Sequence, residues 1–379
     1  MAEWPSSKAR CVAIRQLGLS PCRQIANCEQ KRKFDANGEA DGPDTSKPTA
    51  RFKPIEGGRE WTVSVAIPGS ILDKCDLSAS LPLNLSNGRS AITGEQHMVS
   101  PSRIGRALAV FNVDEVVIYD DTPKQSRAAN VDPKSYTADV DHCHFLAHVL
   151  SYLETPPFMR KALFPLHPNL RYVGQSHSLD MPHHPHPNEW IPYREGVTIE
   201  SGRKAPSGTL VDIGLKEPVQ IEAKIPPKTR VTLKFEEGTR TKAEPIHPTA
   251  PRTEGGYYWG YSVRRAETLS AVFTESPYDN GYDASIGTSE RGKSITRAFP
   301  PSKKLDFEHL LIVFGGPKGL EYASSNDEEL VASSASGHRV KDLFDHWLNV
   351  LPGQGSRTIR TDEAVFIALS RLVGLWEDS

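Results

Sequence analysis

Several absences narrow the field before any motif is read. No stretch of about 18 apolar residues occurs, so no membrane-spanning helix is expected. The five cysteines (Cys11, Cys22, Cys28, Cys75 and Cys143) contain no CxxC and no paired spacing. That argues against zinc ribbons and a disulfide framework, and points to reduced thiols in an intracellular protein. Neither sign of charge dominates: 45 Lys/Arg against 47 Asp/Glu give a formal net charge of −2. A nucleic-acid partner would therefore have to meet a local basic patch. There is no Walker P-loop, no GxGxxG fingerprint and no internal repeat, so ATP and NAD recede as ligands.

At 379 residues the chain is long enough for two compact domains and a sizeable core. Residues 1–58 show little apolar periodicity and end in a polar stretch, which reads as a disordered tail that buries too little to offset its ordering entropy. Glu3 and Glu29 argue against a mitochondrial presequence there. Lys31-Arg32-Lys33 is a nuclear signal, an RNA-touching cluster or a solvated charge run. Order begins with the apolar strand pattern Trp61–Ile67, stopped by Pro68-Gly69-Ser70. Residues 73–100 are rich in Ser, Asn and Gly and have weak periodicity; a short helix is expected around Ile104–Phe111, then a strand over Glu115–Tyr119. Phe145, Leu146, Val149, Leu150 and Leu153 share one helical face, and Pro156-Pro157 ends it.

From 191 to 256 the pattern changes to short β-type runs (Gly196–Ile199, Thr209–Ile213, Val219–Ala223, Arg230–Phe235) between Gly and Pro turns, as in a small barrel or sandwich. After Tyr257, helix and strand alternate again: a helix over Ala266–Thr274, strands over Asp283–Gly287, Leu310–Phe314 and Trp347–Leu351, and a long helix from Thr361. The chain thus reads as an α/β sheet domain in two parts, 59–190 and 257–379, interrupted by an all-β insertion at 191–256.

Three segments after the C-terminal strands share one design: 287–292 (GTSERG), 314–319 (FGGPKG) and 351–360 (LPGQGSRTIR). In open α/β sheets ligands bind beyond the carboxyl ends of the strands, and glycine lets backbone approach them closely. Arg291, Arg357 and Arg360 inside such loops contribute little to folding, which favours an anionic partner. Thr361 reads as a helix cap, with Asp362 compensating the helix dipole. His144 and His148 stand four apart on a helix, but a packed face explains them better than a metal. His177, His183, His184 and His186 read as a plain or RNA-contacting loop. The aromatics of Tyr257–Tyr261 either stack bases or belong to strand core.

These motifs, with 63–72 (VSVAIPGSIL), 313–316 (VFGG) and 352–363 (PGQGSRTIRTDE), resemble the SPOUT class of RNA methyltransferases. The likeness covers roughly residues 60–375 and is nearest to the eukaryotic and archaeal branch, whose human member is centromere-associated. The resemblance implies a Rossmann-like sheet tied at its C-terminal end into a trefoil knot, an OB-like β-barrel insertion and a homodimer. It implies S-adenosyl-L-methionine as cofactor, held by Thr288, Phe314, Gly315, Gly316, Pro317, Asn349, Leu351, Pro352, Gly353, Gln354, Gly355, Thr358 and Ile359. For the human branch it implies uridine-N3 methylation of large-subunit ribosomal RNA, nuclear or nucleolar residence, and spindle or kinetochore association. Residues 77–101 depart from the family pattern, as an insertion or translated intron would.

Arg291 is the expected stabiliser of the uridine anion and Glu290 the proton acceptor, with Arg357 and Arg360 toward RNA or the partner subunit; no metal is required. Two rivals remain at this level: a protein methyltransferase, and a non-catalytic interaction protein of the spindle or of ribosome assembly.

Overall fold

The computed structural model describes residues 54–72, 89–185, 189–200, 208–236, 239, 241–300 and 304–376. The readings of the tail through residue 53, of Lys31-Arg32-Lys33, of residues 73–88 and of His186 lie outside them. In chain order the strands are β1 (Thr62–Pro68), β2 (Glu115–Tyr119), β3 (Tyr193–Ile199), β4 (Thr209–Asp212), β5 (Val219–Ile221), β6 (Arg230–Phe235), β7 (Ala243–Ile246), β8 (Ser262–Ala266), β9 (Ala284–Ser294), β10 (His309–Val313) and β11 (His346–Asn349). The helices are α1 (Arg89–Val110), α2 (His142–Glu154), α3 (Pro157–Leu163), α4 (Ala250–Thr253), α5 (Leu269–Thr274), α6 (Ile295–Ala298), α7 (Gly319–Ser325), α8 (Glu328–Ala332) and α9 (Thr361–Leu372).

Six strands form a parallel sheet in the order β11-β9-β10-β1-β2-β8. Its inner strands are buried on both faces, which is why Val63–Ile67 and Leu310–Val313 read as nearly unbroken apolar runs. Alternation splits each strand between two cores. Val65, Ile67, Val116, Ile118, Leu310 and Ile312 face a layer that includes Leu108 of α1, Leu150 of α2 and Leu369 of α9. Ala66, Val117, Leu311 and Val313 face Val272 of α5, Leu320 of α7 and Leu330 of α8.

The insertion forms its own antiparallel sheet, β5-β4-β3-β6-β7, around Val211, Ile213, Ile221 and Leu233. Its edge strands β5 and β7 come into contact, so the sheet is curled. A buried ionic junction ties it to the parallel-sheet unit. Glu154, at the end of α2, accepts from Arg230 Nη1 on Oε2 at 2.6 Å and from Nη2 on Oε1 at 2.9 Å, and His183 Nε2 lies 2.8 Å from Oε1. Arg230 Nε also meets Glu195 at 2.7 Å, and Glu195 accepts from Thr232 and from Trp259 Nε1.

Four expectations are corrected here. The helix expected at Ile104–Phe111 is instead the 22-residue α1, which takes in part of the stretch thought aperiodic. Its packed face uses small and polar residues (Gly94, His97, Pro101, Gly105) beside Met98, Ile104 and Leu108, and so hides from an apolar count. Ser262–Ala266 is a strand and the helix starts only at Leu269, after Thr268 accepts from the Ala271 N–H. The strand looked polar because its arginines reach acids: Arg264 donates to Glu115 at 2.9 Å and Arg265 to Asp141 at 3.0 Å. His183 and His184 do lie in a turn, but that turn is folded inward and is not a plain solvated loop: His183 is buried and His184 half-buried, both against Glu154. Thr361 is the first residue of α9 and not its cap: Glu363 reaches back to the Arg360 N–H at 3.1 Å. No described helix is long and apolar enough to cross a membrane.

Candidate active site

Because the sheet is parallel throughout, the carboxyl ends of all six strands open on one edge, and the expected site residues gather there. The segment 287–292 is not a free loop. β9 pairs with β11 at Ile286 and Gly287, loses register, and resumes at Lys293 opposite Leu348. Thr288 to Gly292 therefore bulge out unpaired from the middle of a strand, as bulges beside sites do. The Thr288 hydroxyl donates to Val313 O at 3.0 Å, and Asn349 Nδ2 donates to Glu290 O at 2.7 Å. The bulge is thereby pinned to both flanking strand ends.

The second segment follows β10. The Phe314 ring is buried in the core and its carbonyl accepts from Tyr119 at 2.7 Å. Gly315 O accepts from Thr361 at 3.2 Å, joining this turn to the start of α9. Gly316 has to be glycine: a Cβ there would lie 2.3 Å from Ser70 Oγ and 2.9 Å from Asp121 Oδ2. Those two residues, at the ends of β1 and β2, escaped sequence reading. Asp121 is buried and accepts from Ser70 N at 3.2 Å and Ser70 Oγ at 2.5 Å. Burial raises its carboxyl above the usual range, and the Ser70 hydrogen bonds oppose that shift. The Asp120-Asp121 pair at a strand's carboxyl end was the available signal.

The third segment is the long loop from Val350 to Arg360. Asn349 Oδ1 accepts from Leu351 N at 2.9 Å, and Gln354 donates to Ser356 O at 3.0 Å. Gly353 has φ +80°, and a Cβ on Gly353 or Gly355 would touch nothing within 4 Å. Pro352, Gly353, Gly355, Arg357 and Thr358 are exposed; Leu351, Gln354 and Ile359 are half-buried. The space beside Gly353 and Gly355 is open, so another molecule can approach the main chain closely there.

The arginines have diverse surroundings. Arg291, on the bulge, is largely exposed and lies 3.3 Å from Glu321 of α7. Arg360 meets Asp362 at 3.3 Å, and Arg103 meets the other oxygen at 3.1 Å. Asp362 is thus a buried carboxylate flanked by two guanidinium groups, more than the dipole compensation expected of it. Arg357 is exposed.

Away from this edge, His144, His148 and His167 form a ring cluster in which His144 bonds Thr137 and His167 bonds Pro133 O. Burial, with His167 and His144 alongside, lowers His148 to about 4. No group of three or more His, Cys, Asp or Glu among the described residues is arranged to hold a metal ion. The aromatics after Tyr257 are committed internally: Tyr258 donates to Val113 O, Trp259 to Glu195 and Tyr261 to Leu150 O.

Comparison with known proteins bears directly on this edge. A family described as "Putative RNA methyltransferase" matches residues 62–372, which include both sheets and all three strand-end segments. A Mus musculus protein named 28S rRNA (uridine-N(3))-methyltransferase is 39% identical over 320 residues, covering 83% of this chain and 77% of that protein. The Homo sapiens protein of the same name is 38% identical over 320 residues, covering 83% and 78%. One from Drosophila melanogaster, also so named, is 39% identical over 325 residues, covering 82% of this chain and 61% of its own.

Proposed function

Since the chain belongs to this family of RNA methyltransferases, we propose that it methylates N3 of a uridine in large-subunit ribosomal RNA, using S-adenosyl-L-methionine. The observation that carries this reading is the 39% identity to the mouse uridine-N3 methyltransferase over most of both chains.

The three strand-end segments fit a nucleoside donor: the left-handed Gly353 and the open space around it and Gly355 leave main-chain groups accessible. Gly315, Gly316, Asn349, Leu351, Pro352, Gln354, Thr358 and Ile359 would complete the hold, with Thr288, Phe314 and Pro317 supporting it. When bound, the donor supplies an electrophilic methyl group on a sulfonium. The protein's part is alignment of the acceptor nitrogen with that methyl, and alignment of this kind supplies much of the acceleration in a displacement.

Uridine N3 must lose its proton before it attacks. Arg291 projects from the bulge beside the donor loops and stabilises the resulting negative charge on the uracil ring, while Glu290 receives the proton. The buried Asp121 holds the turn at Ser70 against Gly316 and so keeps the donor segment in place. On the same reading, the sheet's C-terminal portion is the trefoil knot of the SPOUT class. The curled sheet is an OB-like module that grips RNA, and two copies assemble with Arg357 and Arg360 toward RNA or the partner subunit. Residence is nuclear or nucleolar, with a spindle-associated pool.

Incubation of the full-length protein with labelled donor and unmodified large-subunit ribosomal RNA tests the proposal. Label should appear as N3-methyluridine, with kcat about 100-fold lower in Arg291→Ala and donor affinity little changed. Label in protein, or none in RNA while donor binds, would overturn it.

A further inference from the structure

Residues 291–304 hold five Lys/Arg and no carboxylate, in a chain whose charges otherwise nearly cancel. The fold concentrates three of these cations. Past the bulge, β9 resumes pairing at Lys293 and Ser294, opposite Leu348 and Asn349, and runs straight into α6, which carries Arg297. Arg291, Lys293, Ser294, Thr296 and Arg297 line an open hollow of about 540 Å³, to which Pro352 of the proposed donor loop also contributes. Arg291 has Glu321 at 3.3 Å. Lys293 and Arg297 are exposed and have no acidic partner within 4 Å among the described residues.

Like charges lining one hollow repel one another, and neither side chain is buried, so folding gains nothing from this arrangement. An anion reverses the sign of that energy. The hollow pairs point charge with neutral donors, since the Ser294 and Thr296 hydroxyls stand 3.3 Å apart. Cations and hydroxyls without a carboxylate acceptor match a phosphodiester, and mismatch a base edge, which needs donors and acceptors together.

We infer that this hollow is a subsite for a backbone phosphate of the acceptor RNA, held by Lys293 and Arg297 beside the target nucleotide. The inference rests on the RNA-methyltransferase reading and deepens it. Arg291 lies two residues before Lys293, so clamping a flanking phosphodiester would fix the register in which a base meets Arg291. The two cations act on position and affinity, outside the transfer step itself.

The test is equilibrium binding of an in vitro transcript of large-subunit ribosomal RNA to the full-length protein at several KCl concentrations. In Lys293→Gln/Arg297→Gln the slope of log K against log salt should become shallower by about 1.4, two single-strand contacts, with affinity at least about tenfold weaker. Binding of S-adenosylmethionine should be unchanged, and the charge-keeping Lys293→Arg/Arg297→Lys pair should restore the slope. An unchanged slope, or a loss confined to S-adenosylmethionine affinity, would overturn the subsite. A slope that depends on both cations in a protein that transfers no methyl group to RNA would keep the subsite and remove the methyltransferase reading.

Discussion

At the junction between the two sheets buried carboxylates are paired with a half-buried guanidinium; at the carboxyl edge of the parallel sheet several cations lie exposed and without an acidic partner among the described residues. Arg230 serves Glu154 and Glu195 together, and His183 completes the set. Lys293, Arg297 and Arg357 have no such arrangement. Burial alone would raise the Glu154 carboxyl, yet Arg230 and His183 outweigh it and hold it well below the usual range. The contrast separates two uses of charge in one fold: the junction fixes where the curled sheet sits, while the edge keeps its charges and its glycines available to something else.

The contrast breaks first at Glu154. Glu154→Ala leaves Arg230 and Glu195 around a lost partner and should cost about 3–5 kcal/mol in urea unfolding. Donor affinity per folded molecule, followed by calorimetry at low temperature, should hold. Gly353→Val should do the reverse. Its φ of +80° costs a branched residue about 1–2 kcal/mol, and its Cβ meets no protein atom within 4 Å, but the side chain enters the space proposed for the donor. Calorimetry should then show donor affinity falling more than about tenfold. Equal losses in both assays for both variants would dissolve the distinction.

The smallest expected effect is that of pH. Burial lowers His184 to about 3, and burial with neighbouring rings lowers His148 to about 4, both from 6.5. Folded-state values below the unfolded ones mean that the unfolded chain binds more protons as pH falls below about 6.5, so stability is lost progressively from there. Glu154 adds a loss of the same sign at lower pH, because its folded carboxyl titrates below its ordinary 4.5. Stability from urea curves at pH 7.5, 6.0 and 5.0 should decline in that order, and less steeply in His148→Phe. A flat profile would remove the histidines from the account.

The strands were legible where alternation was clean or an apolar run continuous: β6 matches its expected bounds, Arg230–Phe235, and β2 its own, Glu115–Tyr119. β8 was not, because Arg264 and Arg265 satisfy their charges on acids from β2 and from the cap of α2, a pairing visible only in three dimensions. α1 escaped because glycine, serine and proline occupy its packed face. Strand-end glycines pointed to the correct edge of the sheet, since Gly-rich segments after strands carry local information. Their partners did not show: Ser70 and Asp121 lie 51 residues apart and meet only at Gly316. The bulge read as a loop because its register slip belongs to β11, more than fifty residues downstream.

The sheet order has one consequence for the biography of each molecule. Of the strands among the described residues β1 is made first, yet its neighbour on one side is β10: Thr62 pairs with His309, 247 residues later. At about 5–20 residues per second, translation takes roughly 12–50 seconds to cross that gap. Throughout it, the edge of Val63–Ala66 destined for β10 has no mate. The nascent chain can close the β1–β2 ladder early, but the three strand-end segments come together only after β9, β10 and β11 have all been made. A copy synthesised only as far as β8 would lack all three of those segments.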